Sequence, residues 1–411
     1  MNLLILPPCV FANIPDDVKT ITFYEHPYYF TRKNFNKKKL MLHRASMKSY
    51  YDILSKQGKK CKYITYDAKL NTSVKYNCFD PIDKCPLPKG TVKLESPGFL
   101  VSNVQINEYR TIKKHFKFNP FYMWHKQKLN IIPSYKSKDK ENQKQMPTSI
   151  KTPPKPKIYK NKYVVEAANY INNKFNSNIG NTDNFIYPIN HKDARAAMRT
   201  FVVSKFKKFG DYQDYIKNDD QYLFHSLLSA SLNIGLITPN DLIVEIQKHH
   251  TVVNNSYEGF IRQLFWREYQ KYCYQYLKID KQLANNTKKI TKHWYLATTG
   301  MLPVDNAIRQ GIDTGYLHHI YRLMVIGNYM NMCQISPKSG HNWFMEFSCN
   351  SYEWVMYQNV YDMVFYCSGG KTTWKSYLCS SKYIIKMSDY KNDEWANKWD
   401  ELYKKNKIIH I

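Results

Sequence analysis

Acidic side chains are scarce in this sequence: 33 Asp and Glu stand against 61 Lys and Arg in 411 residues, a formal net charge of +28. A field of that sign disfavours cationic partners and draws polyanions, of which nucleic acid is the commonest. An AT-rich genome enriches lysine as well, so charge alone does not decide the partner. None of the nine cysteines forms a C-x-x-C pair. An odd count in a long chain argues against a disulfide scaffold, and the thiols read as reduced, in a cytosolic or nuclear protein. No apolar run is long enough to span a membrane as a helix. Met1–Ala12 lacks a basic start and contains Pro7 and Pro8, so it reads as a first strand and not as a signal peptide. No internal repeat is visible.

What is present is enough apolar material for a packed protein, 43% of residues, with aromatics at 15% including 35 Tyr and 8 Trp. The length exceeds what one core usually supports, so two domains are expected. Leu3–Leu6, Thr20–Tyr24, Tyr63–Tyr66 and Thr91–Leu94 read as strands, and Arg44–Lys56 as a helix with Met47, Tyr51 and Leu54 along one side. That alternation predicts a parallel α/β sheet over 1–133. Across 134–162, nine lysines from Lys136 to Lys162 surround Pro147, Pro153, Pro154 and Pro156, which predicts an extended basic linker. Beyond it the period is helical, over 163–411. Asp193 is placed as the N-cap of Ala194–Lys208, and Thr238 with Pro239 opens another helix. Tyr316–Met332 and Trp343–Tyr357 also read as helices. The expected fold class is therefore α+β: a Rossmann-like parallel-sheet domain, a basic linker and an all-helical domain.

Several motifs stand in a fixed order. Phe209-Gly210-Asp211-Tyr212-Gln213-Asp214 precedes His225-Ser226-Leu227-Leu228-Ser229. Glu258-Gly259-Phe260-Ile261-Arg262-Gln263 and Trp266-Arg267-Glu268-Tyr269 follow. Then come His318-His319-Ile320-Tyr321-Arg322, Tyr352-Glu353-Trp354-Val355 and Lys386-Met387-Ser388-Asp389-Tyr390. Earlier in the chain stand His43-Arg44-Ala45-Ser46-Met47 and Ser96-Pro97-Gly98-Phe99-Leu100. With the domain order, these motifs resemble the photolyase/cryptochrome superfamily, in the branch of the iron–sulfur bacterial cryptochromes and (6-4) photolyases. From the residues alone, Ser226 and Ser229 at a helix start either cap that helix or cradle a phosphate. Gln263 and Arg267, four apart, share a helical face.

The resemblance implies an FAD site. It assigns Ser226, Leu227, Leu228 and Ser229 to the diphosphate, and Gln263, Arg267, Arg322, Asn350 and Asn359 to the flavin, with Phe209 and Tyr212 beside them. It implies Trp266 in the lesion pocket, with Tyr257 and Glu258 as further wall residues. His318 and His319 match a histidine pair beside the flavin, Trp343 an electron relay, and Trp294 a second relay after a one-residue shift. An antenna chromophore in the N-terminal domain is compatible with it. Four departures stand out. Relatives hold an iron–sulfur cluster with four cysteines, but Pro303 occupies one of those positions and no cysteine follows Cys379, so no cluster is expected. Asn350 replaces an Asp that pairs with the flavin-facing Arg. Val360–Ser368 replaces a glycine- and serine-containing loop, and Phe344 replaces a Tyr.

The function expected from the resemblance is a DNA photolyase, for (6-4) photoproducts rather than cyclobutane dimers. Its partner would be ultraviolet-damaged duplex DNA, with no membrane, and it would act as a monomer. The competing readings are a blue-light sensor of cryptochrome type and a non-catalytic DNA-binding relative. Asn350 and the altered segment favour the competitors; the intact Ser226–Ser229 segment and the histidine pair oppose decay.

Overall fold

The computed structural model describes residues 1–132, 137–250, 253–279, 286–374 and 376–407. Five parallel strands form one sheet in the order β3-β2-β1-β4-β5. They are β1 Asn2–Ile5, β2 Thr20–Tyr24, β3 Lys60–Ile64, β4 Asn77–Phe79 and β5 Val92–Leu94. Leu3, Leu4, Ile5, Ile21 and Phe23 are buried, as expected of central strands of a parallel sheet covered by helices. Strand β4 was not anticipated: three residues carry no readable period.

The helix expected from Arg44 starts earlier and runs Lys37–Lys56, because Asn36 accepts from the Lys38 amide at 2.9 Å and caps it. Its first turn is rich in lysine, and Lys38 and Lys39 are buried. Lys39 reaches the Ser351 carbonyl in the helical half, and burial pulls its ammonium down to about 7.

Residues 133–136, where the linker was expected to begin, lie outside the described residues. From 137 to 161 the chain has no helix or strand beyond the short turn Asp139–Glu141, with a second turn closed by the Ile150 amide on the Pro147 carbonyl at 3.1 Å. It is not free: Lys144 N donates to the Asp211 carbonyl at 2.8 Å, and Met146 and Tyr159 are buried. The next helix, Lys162–Lys174, packs against Lys37–Lys56, so the first element after the linker belongs to the α/β layer.

The remainder is helical. His191–Ser204 is capped by Asn190, with Asp193 inside the first turn rather than at the cap. Thr238 and Asp241 form the capping box of Pro239–His249 as expected. Two elements differ in ways that shape the site. The chain winds as a π-helix over Tyr321–Gly327, just after the histidine pair. Trp343–Tyr357 is not continuous: Pro337–Phe347 ends, Ser348–Tyr352 is non-helical, and Glu353–Gln358 begins anew. The segment after Asn359 is a second π-helix, Asn359–Val364, not a loop. No helix of the described residues is long and apolar enough to cross a membrane.

Candidate functional site

One cavity of about 250 Å³ lies inside the helical half. Its walls come from four places: the Ser226–Ser229 segment, the long helix Asn255–Tyr276, the histidine–π-helix stretch, and the two helices flanking the break at Ser348–Tyr352. The break matters because it frees Asn350 from helical geometry. Its amide oxygen accepts from an Arg322 terminal nitrogen at 2.5 Å, and its amide nitrogen donates to Ser229 Oγ at 2.6 Å. One side chain thereby ties the serine segment to the arginine.

The Ser226–Ser229 stretch, expected to cradle a phosphate, has a specific backbone shape. Leu227 sits at φ +58, a left-handed conformation uncommon for a non-glycine residue. Such a turn opposes successive amides to one side and suits an anion. Ser226, Leu227 and Ser229 line the cavity; Leu228 is buried and is not among the lining residues.

Two guanidinium groups face this space. Arg322 donates to the Leu317 carbonyl at 2.7 Å and to Ser348 Oγ at 2.8 Å, in addition to Asn350, so these partners are neutral. Arg267 donates to Asn233 Oδ1 at 3.0 Å and to the Gly98 and Leu232 carbonyls, and its one carboxylate neighbour, Glu268, is 3.9 Å away. Burial pulls both groups down to about 10, so both stay charged near neutrality. A cation whose hydrogen-bond partners are all neutral, as at Arg322, favours an anion in the adjacent space. Gln263 lines the same wall one turn before Arg267, and Gln213 accepts from it at 3.3 Å. Phe209, Asn359 and Val360 also line the cavity.

The histidines divide. His318 is buried and stacks on His225 with ring centroids 3.8 Å apart and planes 10° apart. Desolvation, then the neighbouring imidazoles, hold His318 well below its ordinary value. His225 falls to about 3, by desolvation and then by His319. His225 Nε2 lies 3.1 Å from the Tyr215 carbonyl, and Nδ1 lies 3.3 Å from both the Gln221 carbonyl and the Tyr316 hydroxyl, so a neutral ring donates to only one of the two carbonyls. His319 is 46% exposed, and its Nε2 meets the Asp214 carboxylate at 3.0 Å. Both members of the pair line the cavity.

Other expected residues fall elsewhere. Trp266 lines the mouth, stacked on Phe118 at 3.8 Å. Glu258 is buried away from the cavity, because its carboxylate accepts from Ser137 Oγ at 2.8 Å and from the Lys138 amide at 2.7 Å, anchoring the linker. Tyr257 is buried and does not line the cavity. Tyr212 packs in a small satellite core with Met146, Tyr215 and Phe224. Trp343 is fully buried behind Phe344, which does line the cavity, and its indole donates to the Trp294 carbonyl at 3.0 Å. Trp294 is likewise buried away from the wall. The sequence reading passed over His225, Asp214, Gln213 and Asn233. The first three lie inside motifs already singled out, and His225 directly precedes Ser226.

The chemistry of this donor set fits a flavin dinucleotide: an anion-favouring turn with two hydroxyls, two buried guanidiniums, and amides from Gln263, Asn350 and Asn359 around an apolar floor of Phe209, Leu264 and Val364. Comparisons with known proteins agree. The family described as deoxyribodipyrimidine photo-lyase-related protein matches residues 9–89 and 83–187, and the FAD binding domain of DNA photolyase matches residues 260–399. A (6-4) photolyase of Agrobacterium fabrum is 29% identical over 306 residues, covering 71% of this chain and 60% of that protein. The chain thus spans well under two thirds of that relative's length. An uncharacterized protein of Acanthamoeba polyphaga mimivirus is 52% identical over 81 residues, 20% of this chain and 66% of that one. Among solved structures, a bacterial class III photolyase from Agrobacterium tumefaciens superposes with TM-score 0.64 at 14% identity, covering 99% of this chain and 90% of that one, which shows the fold.

Proposed function

Because this chain belongs to the photolyase/cryptochrome superfamily, we propose that it is a light-driven DNA photolyase that uses reduced FAD and acts on (6-4) photoproducts. The observation that carries this reading is the meeting of Ser229, Asn350 and Arg322 in one cavity with His318 and His319. Bound reduced FAD would supply the light-driven electron. The chain's own residues do the rest. Ser226, Ser229 and the Leu227 turn hold the diphosphate. Arg322 and Arg267 supply fixed positive charge next to the ring system, and Asn350 orients Arg322 without neutralising it. A stacked base cannot reach this space, so the damaged dinucleotide leaves the duplex and enters past Trp266.

Of the two histidines, His319 is the proton donor in this reading. It has access to solvent and a carboxylate partner in Asp214, whereas His318 is buried, neutral and stacked. The pair therefore splits into a general acid and a residue that positions it. Trp343 relays electrons from behind Phe344. Phosphates of the duplex meet lysine-rich surface, and affinity falls steeply as salt rises.

We also propose that no iron–sulfur cluster is held. Pro303 is buried in the helix Leu302–Thr314, and that helix meets Tyr390 through Asn306 at 3.2 Å. Tyr390 and Trp395 are themselves buried there, which leaves aromatic packing where relatives have thiolates. One observation favours light sensing instead: Asn350 leaves Arg322 without a carboxylate partner, which alters the charge beside the flavin. The deciding experiment illuminates the reduced, FAD-loaded protein with an oligonucleotide carrying one (6-4) lesion. Restored thymines support repair. A yellow protein that repairs nothing when fully reduced transfers the lead to sensing, and a protein that refuses FAD ends both readings.

A further inference from the structure

Among the described residues, no carboxylate lines the cavity. The wall does hold two guanidiniums, Arg267 and Arg322, and three imidazoles, His225, His318 and His319. Burial keeps His318 well below its ordinary value and takes His225 to about 3, so these two rings add no charge near neutrality. Glu268 and Asp214 lie outside the wall and are already engaged. Glu268 lies 3.9 Å from Arg267, its other oxygen accepts from the Val101 amide at 3.2 Å, and Lys271 shares its charge. Asp214 meets His319 Nε2 at 3.0 Å. Arg322 is the cation left over, with the Leu317 carbonyl, Ser348 Oγ and the Asn350 amide oxygen as its partners.

Asn350 is where that surplus is set. Its oxygen accepts from Arg322 at 2.5 Å and from Ser348 Oγ at 2.5 Å, and its nitrogen donates to Ser229 Oγ at 2.6 Å. A guanidinium can only donate, so the amide oxygen must be the atom that faces Arg322. A carboxylate of the same shape would fit the same contacts, since the Ser229 hydroxyl can rotate from accepting to donating. Asparagine and aspartate therefore differ here in charge far more than in shape. With asparagine, the positive charge of Arg322 is left to the occupant of the cavity.

We infer that Asn350 makes the cavity select the reduced form of its cofactor over the oxidised form. This rests on the flavin reading above and adds a redox preference to it. The oxidised isoalloxazine is neutral. Two electrons and one proton turn it into a ring bearing one negative charge, while the diphosphate keeps the same charge in both forms. A cation without a carboxylate partner therefore favours the reduced ring and leaves the diphosphate contribution unchanged. At an effective dielectric of about 20, one unit charge at about 8 Å changes an equilibrium by roughly thirtyfold. Tighter binding of the reduced form raises the two-electron midpoint potential above that of free FAD, by about 30 mV for each factor of ten.

The test uses the full-length parent, Asn350→Asp and Asn350→Ser. The affinity for oxidised FAD is read from quenching of its fluorescence. The midpoint potentials of bound and free FAD are read by anaerobic titration with dithionite against a reference dye. Together they give the ratio of reduced to oxidised affinity, from which any loss common to both forms cancels. The parent should bind reduced FAD about ten- to a hundredfold tighter than oxidised FAD, a midpoint about 30–60 mV above free FAD. Asn350→Asp should lower that ratio by about tenfold or more, and Asn350→Ser, which brings no charge, should stay within about threefold of the parent. A parent that holds FAD at the potential of free FAD overturns the inference and leaves the flavin reading standing. An aspartate variant within about threefold of the parent also overturns it, because Arg322 is then completed by the diphosphate. A serine variant that shifts as far as the aspartate variant assigns the effect to the lost amide tie and overturns the charge argument. A parent that takes up FAD in neither form overturns the flavin reading and this inference together.

Discussion

Two buried arginines, one in each half, show how the same side chain is used for opposite ends. Arg44, in the α/β half, lies 2.7 Å from Glu25 and 2.5 Å from Glu166, with its guanidinium 3.4 Å from the Tyr170 ring centroid. Burial pulls its proton affinity down, but the two carboxylates outweigh that and the net shift is upward. Arg322, in the helical half, lines the cavity and is less fully buried; the groups around it are an amide, a hydroxyl and a carbonyl, and desolvation takes the net shift downward to about 10. The first charge is finished by the fold. The second is left for something else to finish. A buried cation with neutral partners is costly unless a ligand completes it, which is why the contrast points to the site more directly than either residue alone.

Five substitutions test that contrast, from the largest effect down. Within the unfinished half, His319→Ala should lower light-driven repair by about 10² to 10⁴, the range for a positioned general acid, with FAD still bound. His318→Ala should lose less repair but loosen the flavin, because it removes half of the stack on His225. If both variants repair like the parent, the pair is structural. In the finished half, Arg44→Met strands Glu25 in the core, and denaturant unfolding should show a loss of roughly 3–5 kcal/mol. A loss under about 1 kcal/mol would mean that Arg44 is no more finished than Arg322.

Arg322→Met should do the reverse. Without ligand the protein should be as stable as the parent or more so, since a lone buried charge has gone, while FAD affinity drops about ten- to a hundredfold. A large fall in ligand-free stability would show that the neutral partners already complete this arginine. The smallest effect is on pH. His225 is held at about 3 in the fold against about 6.5 when unfolded. Below about pH 6.5 the unfolded chain takes up a proton that the folded chain refuses, so stability falls as pH falls. Between pH 7 and pH 5 this histidine should account for about 2 kcal/mol of that fall. His225→Phe should flatten the profile by that amount, read from denaturant midpoints at the two pH values.

Much of this site was legible before any coordinates. Ser226, Ser229, Gln263, Arg267, Arg322, Asn350 and Asn359 all line one cavity, as do Trp266 and the histidine pair. Helical spacing accounts for some of these: Gln263 with Arg267, and His318 one turn from Arg322, whose amide donates to the His318 carbonyl at 3.0 Å. Spacing failed where a polar residue had a nearer obligation. Glu258 read as a wall residue, but a buried carboxylate must find donors, and Ser137 Oγ with the Lys138 amide provides them. Trp343–Tyr357 read as one helix because its apolar period continues, and only the structure shows the break that delivers Asn350.

The sequence by itself determined the alternation that makes a parallel sheet, the basic excess, and which side chains share a helical face. These follow from local periodicity and from chemistry that each residue carries with it. Only the tertiary structure decided who meets whom across the chain: His225 on His318, His319 on Asp214, and Asn350 between Ser229 and Arg322. The reason is physical. In a dry interior each polar group must be satisfied by whatever the fold brings within about 3 Å, and no period along the chain records that neighbour.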